Sequence, residues 1–110
     1  MRIQLAMSAM LLGVWVFAPD ATAAQMSPAA QRGQTFVLAN CSRCHAVDKV
    51  SPSPLPIAPA FRTLHQRYPV ENLQEAMAEG IRTGHPTMPV FRLDPGQISD
   101  VISYLKTLER

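Results

Sequence analysis

A chain of 110 residues has room for one domain around one core, and no more. Ten basic against eight acidic residues leave a formal charge of +2, which excludes the concentrated basic footprint of a nucleic-acid binder. At that balance, charge offers partners ordinary steering and little else.

The first 23 residues read as an export signal. Arg2 gives a positive start, and residues 3–17 are mostly apolar, interrupted by Gln4, Ser8 and Gly13. Pro19 breaks any helix, and Ala21-Thr22-Ala23 sets small residues at the spacing a signal peptidase reads. A membrane-spanning helix needs ~20 predominantly apolar residues. This run is shorter, so a cleavable signal over 1–23, removed after Ala23 or Ala24, is favoured over an uncleaved anchor. Trp15 leaves with it, as do Arg2 and Asp20, so the charge of the remainder stays mildly positive. Residues 24–110 then form the domain. At about 85 to 90 residues it is marginal if side chains alone build the core. A large planar cofactor would add apolar area without adding chain entropy.

Ser27-Pro28 opens a helix, with Ser27 as N-cap and Pro28 at the first helical position. It is expected to run to about Ala39. Gly33 sits inside it at a penalty of about 1 kcal/mol, which suggests close approach of another backbone. Residues 51–59 carry Pro52, Pro54, Pro56 and Pro59, which forbid a helix or a central strand. This is a stiff loop, and Leu55 and Ile57 suggest that it packs against something.

A short helix is expected over Phe61 to Gln66. A better one follows Pro69, where Leu73, Ala76, Met77 and Gly80 keep helical spacing and Glu71 and Glu75 suit the N-terminal end. Gly80 or Gly84 ends it. Gly84-His85-Pro86-Thr87-Met88-Pro89 is a loop held by two prolines. Asp94-Pro95 opens the last helix, whose Ile98, Val101, Ile102, Leu105 and Leu108 form one apolar stripe. No strand signal stands out. The fold class is all-α, three to five helices around a cofactor.

The cofactor is implied by Cys41-Ser42-Arg43-Cys44-His45. Two exported cysteines usually suggest a disulfide, but two residues apart with histidine directly after, they match covalent haem attachment. Two thiols must reach two vinyl groups on one macrocycle, and a two-residue spacer lets one turn of chain span them. His45 then faces the iron. Such attachment requires an oxidising compartment outside the cytoplasm, in agreement with the export signal. A thioredoxin-like dithiol would want a βαβ context, and no strands are visible. A zinc site needs four ligands; Cys41, Cys44, His45 and either His65 or His85 would crowd two chain neighbours onto one ion.

The iron's other axial position falls to a methionine or a second histidine. Thioether sulfur favours ferrous iron and suits electron transfer. Met7 and Met10 leave with the signal, Met26 is expected to fray ahead of the first helix, and Met77 sits mid-helix as a packing residue. Met88 alone lies in a loop, between Pro86 and Pro89, which hold it in place without helix geometry. His85 is the competitor, giving a bis-histidine centre of lower potential. His65 reads as an exposed or hydrogen-bonded histidine.

These residues, together with Ala58-Pro59-Ala60-Phe61-Arg62, Tyr68-Pro69-Val70, Gly84-His85-Pro86-Thr87-Met88-Pro89-Val90-Phe91 and Tyr104-Leu105, resemble a class I c-type cytochrome of the short bacterial periplasmic kind. The resemblance runs from about Gln31 to Leu108. It implies terminal helices crossing near a right angle, with one haem c in a cleft and one edge exposed. Gly33 resembles the glycine where those helices touch, and Tyr104 the aromatic at the crossing. The aromatic often found four residues before the first cysteine is replaced by Val37, with Phe36 beside it. A loop proline's carbonyl usually supports the haem-binding histidine; Pro54 and Pro56 both qualify.

The expected function is one-electron transfer between periplasmic donor and acceptor proteins, with Cys41 and Cys44 as thioether attachments and His45 and Met88 as axial iron ligands. No residue is expected to act as acid, base or nucleophile, and no stable membrane insertion is expected after cleavage. Partners are expected over the exposed haem edge, with Met88 and the proline-rich loop on its rim. The alternatives are a haem subunit bound tightly in a periplasmic dehydrogenase or oxidase, and a ligand-binding haem with an open sixth position.

Overall fold

The computed structural model describes residues 13, 15–16, 24–81 and 88–110. The proposed signal lies almost wholly outside them, as do His85 and Pro86. Three α-helices, α1 (Pro28–Asn40), α2 (Leu73–Glu79) and α3 (Pro95–Thr107), are joined by two 3₁₀ helices, Phe61–Gln66 and Val70–Asn72. Among the described residues there is no strand, and no helix long and apolar enough to cross a membrane.

Both long helices start where local chemistry tells them to. The Ser27 hydroxyl accepts from the Ala30 N–H at 3.1 Å, with Pro28 in the first turn of α1. At α3 the caps are reciprocal. Gln97 N–H donates to Asp94 Oδ1 at 2.9 Å, and Gln97 Oε1 accepts from Asp94 N–H at 3.1 Å. The expected stripe faces inward: Ile98, Val101, Ile102, Leu105 and Leu108 are all buried. Each such side chain stabilises the fold by roughly 1.5–3 kcal/mol.

The helices meet at Gly33. A Cβ there would lie 2.0 Å from the carbonyl oxygen of Asp100 and 2.5 Å from its carbon, so only glycine permits this approach. The same Asp100 grips α1 by its side chain, accepting two bonds from Arg32 at 2.8 Å each. One turn on, buried Tyr104 donates its hydroxyl to the Val47 carbonyl at 2.6 Å, tying α3 to the chain just past the haem motif.

α2 follows directly from Val70–Asn72, whose Glu71 pairs with Lys106 of α3. The apolar spacing therefore begins in a 3₁₀ turn and becomes α-helical only at Leu73. Gly80, at φ +107°, ends the helix in a conformation that L side chains rarely adopt. Backbone bonds from Leu93 N–H to Met77 O (3.0 Å) and Ile81 N–H to Phe91 O (3.4 Å) bring the chain back beside α2. Met26, expected to fray, is half-buried against the core instead, because the Gln31 side-chain amide donates to its carbonyl at 3.0 Å and holds it down.

Candidate functional site

The Cys-x-x-Cys-His segment continues α1 as a tight turn. Cys41 N–H donates to Val37 O at 2.8 Å, His45 N–H to Cys41 O at 3.0 Å, and Ser42 Oγ to Leu38 O at 2.6 Å. One turn of chain thus carries both thiols and the imidazole. Both cysteines are half-buried and are not joined to each other by a disulfide.

His45 is 8 % exposed and held from two sides. Phe61 lies against its ring, centroids 5.0 Å apart. Its Nδ1 sits 2.8 Å from the Pro59 carbonyl oxygen. A carbonyl only accepts, so Nδ1 is the donor and Nε2 is the ring nitrogen left to bind elsewhere. The supporting proline is therefore Pro59, not Pro54 or Pro56. Three backbone bonds decide this: Leu55 N–H to Cys44 O, Ala58 N–H to Leu55 O and Phe61 N–H to Ala46 O, at 3.0, 2.9 and 2.9 Å. They fold the proline-rich loop so that its last proline lies beside the imidazole. Of the two residues expected to pack, Leu55 is half-buried and Ile57 is 68 % exposed; the loop's buried residue is Ala58.

A cavity of about 700 Å³ opens between these elements. Its walls include Cys41 and His45, Met77 from α2, and Met88 and Phe91 from the return of the chain. The structure thus brings Cys41, His45 and Met88 to one cavity. Cys44, on the same turn, is not among the residues that wall it. Met77 packs in the core as expected, at 4 % exposure, and also forms part of the cavity wall. The volume falls within the roughly 300–1,000 Å³ typical of cofactor sites. Apolar walls with one lone-pair nitrogen and one loop thioether suit a large, flat, apolar group carrying iron.

His65 departs from expectation. Its Nδ1 is buried without a hydrogen-bond partner, and the side chain lines a smaller cleft with Arg62 and Leu108, away from the main cavity. Its 3₁₀ helix turns it there, while Phe61 and Leu64 face the cavity. Among the described residues no three histidine, cysteine or acidic side chains converge as a metal site. Pro59 and Phe61 were the site residues that spacing alone did not assign, although both fall in the segment Ala58 to Arg62 that carries part of the resemblance.

Comparison with known proteins follows the same residues. The family model for Cytochrome c matches residues 30–109. The cytochrome c-553-like protein of Synechocystis sp. is 30% identical over 79 residues, covering 72% of this chain and 69% of that protein. No solved structure matches significantly. The family match takes in most of α1, all of α2 and α3, the attachment motif and the cavity, and so the chain belongs to the cytochrome c family, as an all-α class I c-type cytochrome that binds the iron-containing haem c covalently and serves as an electron carrier.

Proposed function

We propose that this cytochrome passes single electrons between periplasmic redox partners, with Cys41 and Cys44 forming the thioethers and His45 and Met88 the axial iron ligands. The observation that carries this reading is the 2.8 Å contact between His45 Nδ1 and the Pro59 carbonyl, at a cavity that Met88 also lines. Pro59 fixes the tautomer and aims the ring, and it makes the imidazole a stronger donor at its other nitrogen. Met88 offers a soft sulfur from a loop closed by Pro89, so little ordering remains to be done when it binds. The apolar walls exclude water and hold the dielectric low around the iron. When bound, the haem supplies a one-electron ferric–ferrous couple, and the side chains supply no proton transfer. Ile57, exposed at the cavity's edge, gives a partner an apolar landing point.

The ferric protein is expected to be low-spin, with the weak long-wavelength band of sulfur-ligated haem. Met88→Ala removes that band and leaves the haem attached. A native ferric spectrum already high-spin, in a protein whose ferrous form binds carbon monoxide readily, would contradict the ligand assignment.

A further inference from the structure

The 3₁₀ helix Phe61–Gln66 serves two different spaces. Such a helix repeats about every three residues, so side chains three apart share a face. Phe61 and Leu64 line the main cavity, while Arg62 and His65 line a separate cleft of about 270 Å³ that shares no residue with it. Lys49 reaches this cleft from the turn after the attachment motif, and Leu108, Glu109 and Arg110 from the end of α3. Arg62 is positioned by one N–H bond to the Ser51 carbonyl at 2.7 Å, which leaves most of its guanidinium unspent. Asp48 shapes the turn that carries Lys49, accepting from the Ser51 and Val50 N–H groups at 2.6 and 2.8 Å. Among the described residues no ion pair engages Lys49, Arg62 or Arg110. The opposing charges are Glu109, which lines the cleft, and Asp48 beside Arg62, whose oxygens are already taken by Ser51 and Val50.

The second mark of a site is His65, whose Nδ1 is buried without a hydrogen-bond partner. Leaving such a nitrogen unpaired costs about 1–3 kcal/mol. Lysine and arginine only donate, so the basic side chains around the cleft cannot satisfy an N–H of that ring or one another. What they lack in common is an acceptor bearing negative charge. A planar guanidinium matches two oxygens of one anion, and a lysine ammonium beside it adds a point charge. The volume lies below the roughly 300–1,000 Å³ of sites for larger ligands, so the occupant is small. The geometry points to this cleft as a binding site for a phosphate-type oxyanion, held by Lys49 and Arg62 with His65 and Arg110 as further donors. The site is independent of the axial-ligand assignment, because it uses none of the residues that line the main cavity.

The test titrates inorganic phosphate into the full haem-loaded protein, reduced so that the iron does not broaden the spectrum, and follows backbone amides by ¹H–¹⁵N NMR. Chloride at matched ionic strength is the reference. Saturable shifts are expected at Thr63, His65, Gln66 and Glu109 with phosphate and not with chloride. Arg62→Gln is expected to weaken binding by about tenfold or more, since hydrogen bonds to charged groups are the stronger kind. Lys49→Gln, at an exposed side chain, is expected to weaken it by about threefold without disturbing the fold. Arg92→Gln removes an exposed charge outside the cleft and is expected to leave binding unchanged. Sedimentation with phosphatidylglycerol vesicles, competed by free phosphate, would assign the phosphate to a lipid headgroup; saturation without sedimentation assigns it to the free anion. Equal shifts with chloride, or phosphate binding untouched by both Lys49→Gln and Arg62→Gln, would overturn the site.

Discussion

Gly33→Ala puts the helix crossing under test. The added Cβ would lie 2.0 Å from the Asp100 carbonyl oxygen, whereas ordinary contact begins near 3.4 Å, so the helices must part by about 1.4 Å. The obstacle is backbone on both sides, and no rotamer change can relieve it. Two effects compete. Alanine gains about 1 kcal/mol over glycine as a helix former. Against it stand overpacking, typically 1–3 kcal/mol and occasionally more, and strain on the buried Tyr104–Val47 hydrogen bond, at ~1 kcal/mol. Backbone-on-backbone contact belongs at the upper end of that range, so a net loss of about 2–4 kcal/mol is expected. For a domain this size, that lowers Tm by at least about 10 °C. Far-UV circular dichroism of the haem-loaded protein, on heating and in guanidinium, measures it. Gly96→Ala is the control, since a Cβ there meets only Asp94 Oδ1, the capping oxygen, at 3.2 Å and no backbone; it is expected to cost far less than Gly33→Ala. A Gly33→Ala protein as stable as the native one would refute the close crossing.

Two further perturbations probe the scaffold behind the site. Tyr104→Phe leaves the Val47 carbonyl without its 2.6 Å donor, and unfolding in denaturant is expected to show a loss of about 1–3 kcal/mol. Asp48 organises the turn after His45: the Ser51 hydroxyl donates to it, followed by the Ser51 and Val50 N–H groups, and together they lower its pKa to about 2. A depressed folded value means stability that is full above the ordinary carboxylate pKa, near 3.8, and lost as pH falls through about 2. Asp48→Asn should therefore be less stable than the native protein at pH 7, and the gap between their denaturation midpoints should close between pH 4 and pH 2.

What could be read from the sequence was whatever depends on near neighbours in the chain. Ser27-Pro28 and Asp94-Pro95 announce helix starts because capping is settled within four residues. The stripe from Ile98 to Leu108 announces its own buried face. Gly33 was legible as a violation, a helix-weakening residue where nothing local asks for one, and its cause lay 67 residues away in Asp100. What depends on how distant pieces meet stayed hidden. Three backbone bonds across the loop chose Pro59 over Pro54 and Pro56, and no spacing rule contains them. Met26 was judged by its place near a helix start, yet a single Gln31 bond and the core beside it hold it in place. His65 was judged by polar neighbours in the chain, while its fold neighbours bury Nδ1. In the candidate site, Cys41, His45 and Met88 were legible as chemistry, and their shared cavity became visible only once the chain was seen to return beside α2.

The central claim is an iron that keeps both protein ligands while it gains and loses one electron. A redox titration of the native protein, with the full absorption spectrum recorded at each potential, tests it most directly. The account predicts low-spin spectra at both ends, shared isosbestic points, and a single transition of about 59 mV per tenfold change in the oxidised-to-reduced ratio. A change of spin state on reduction, with carbon monoxide taking the vacated position, would contradict it.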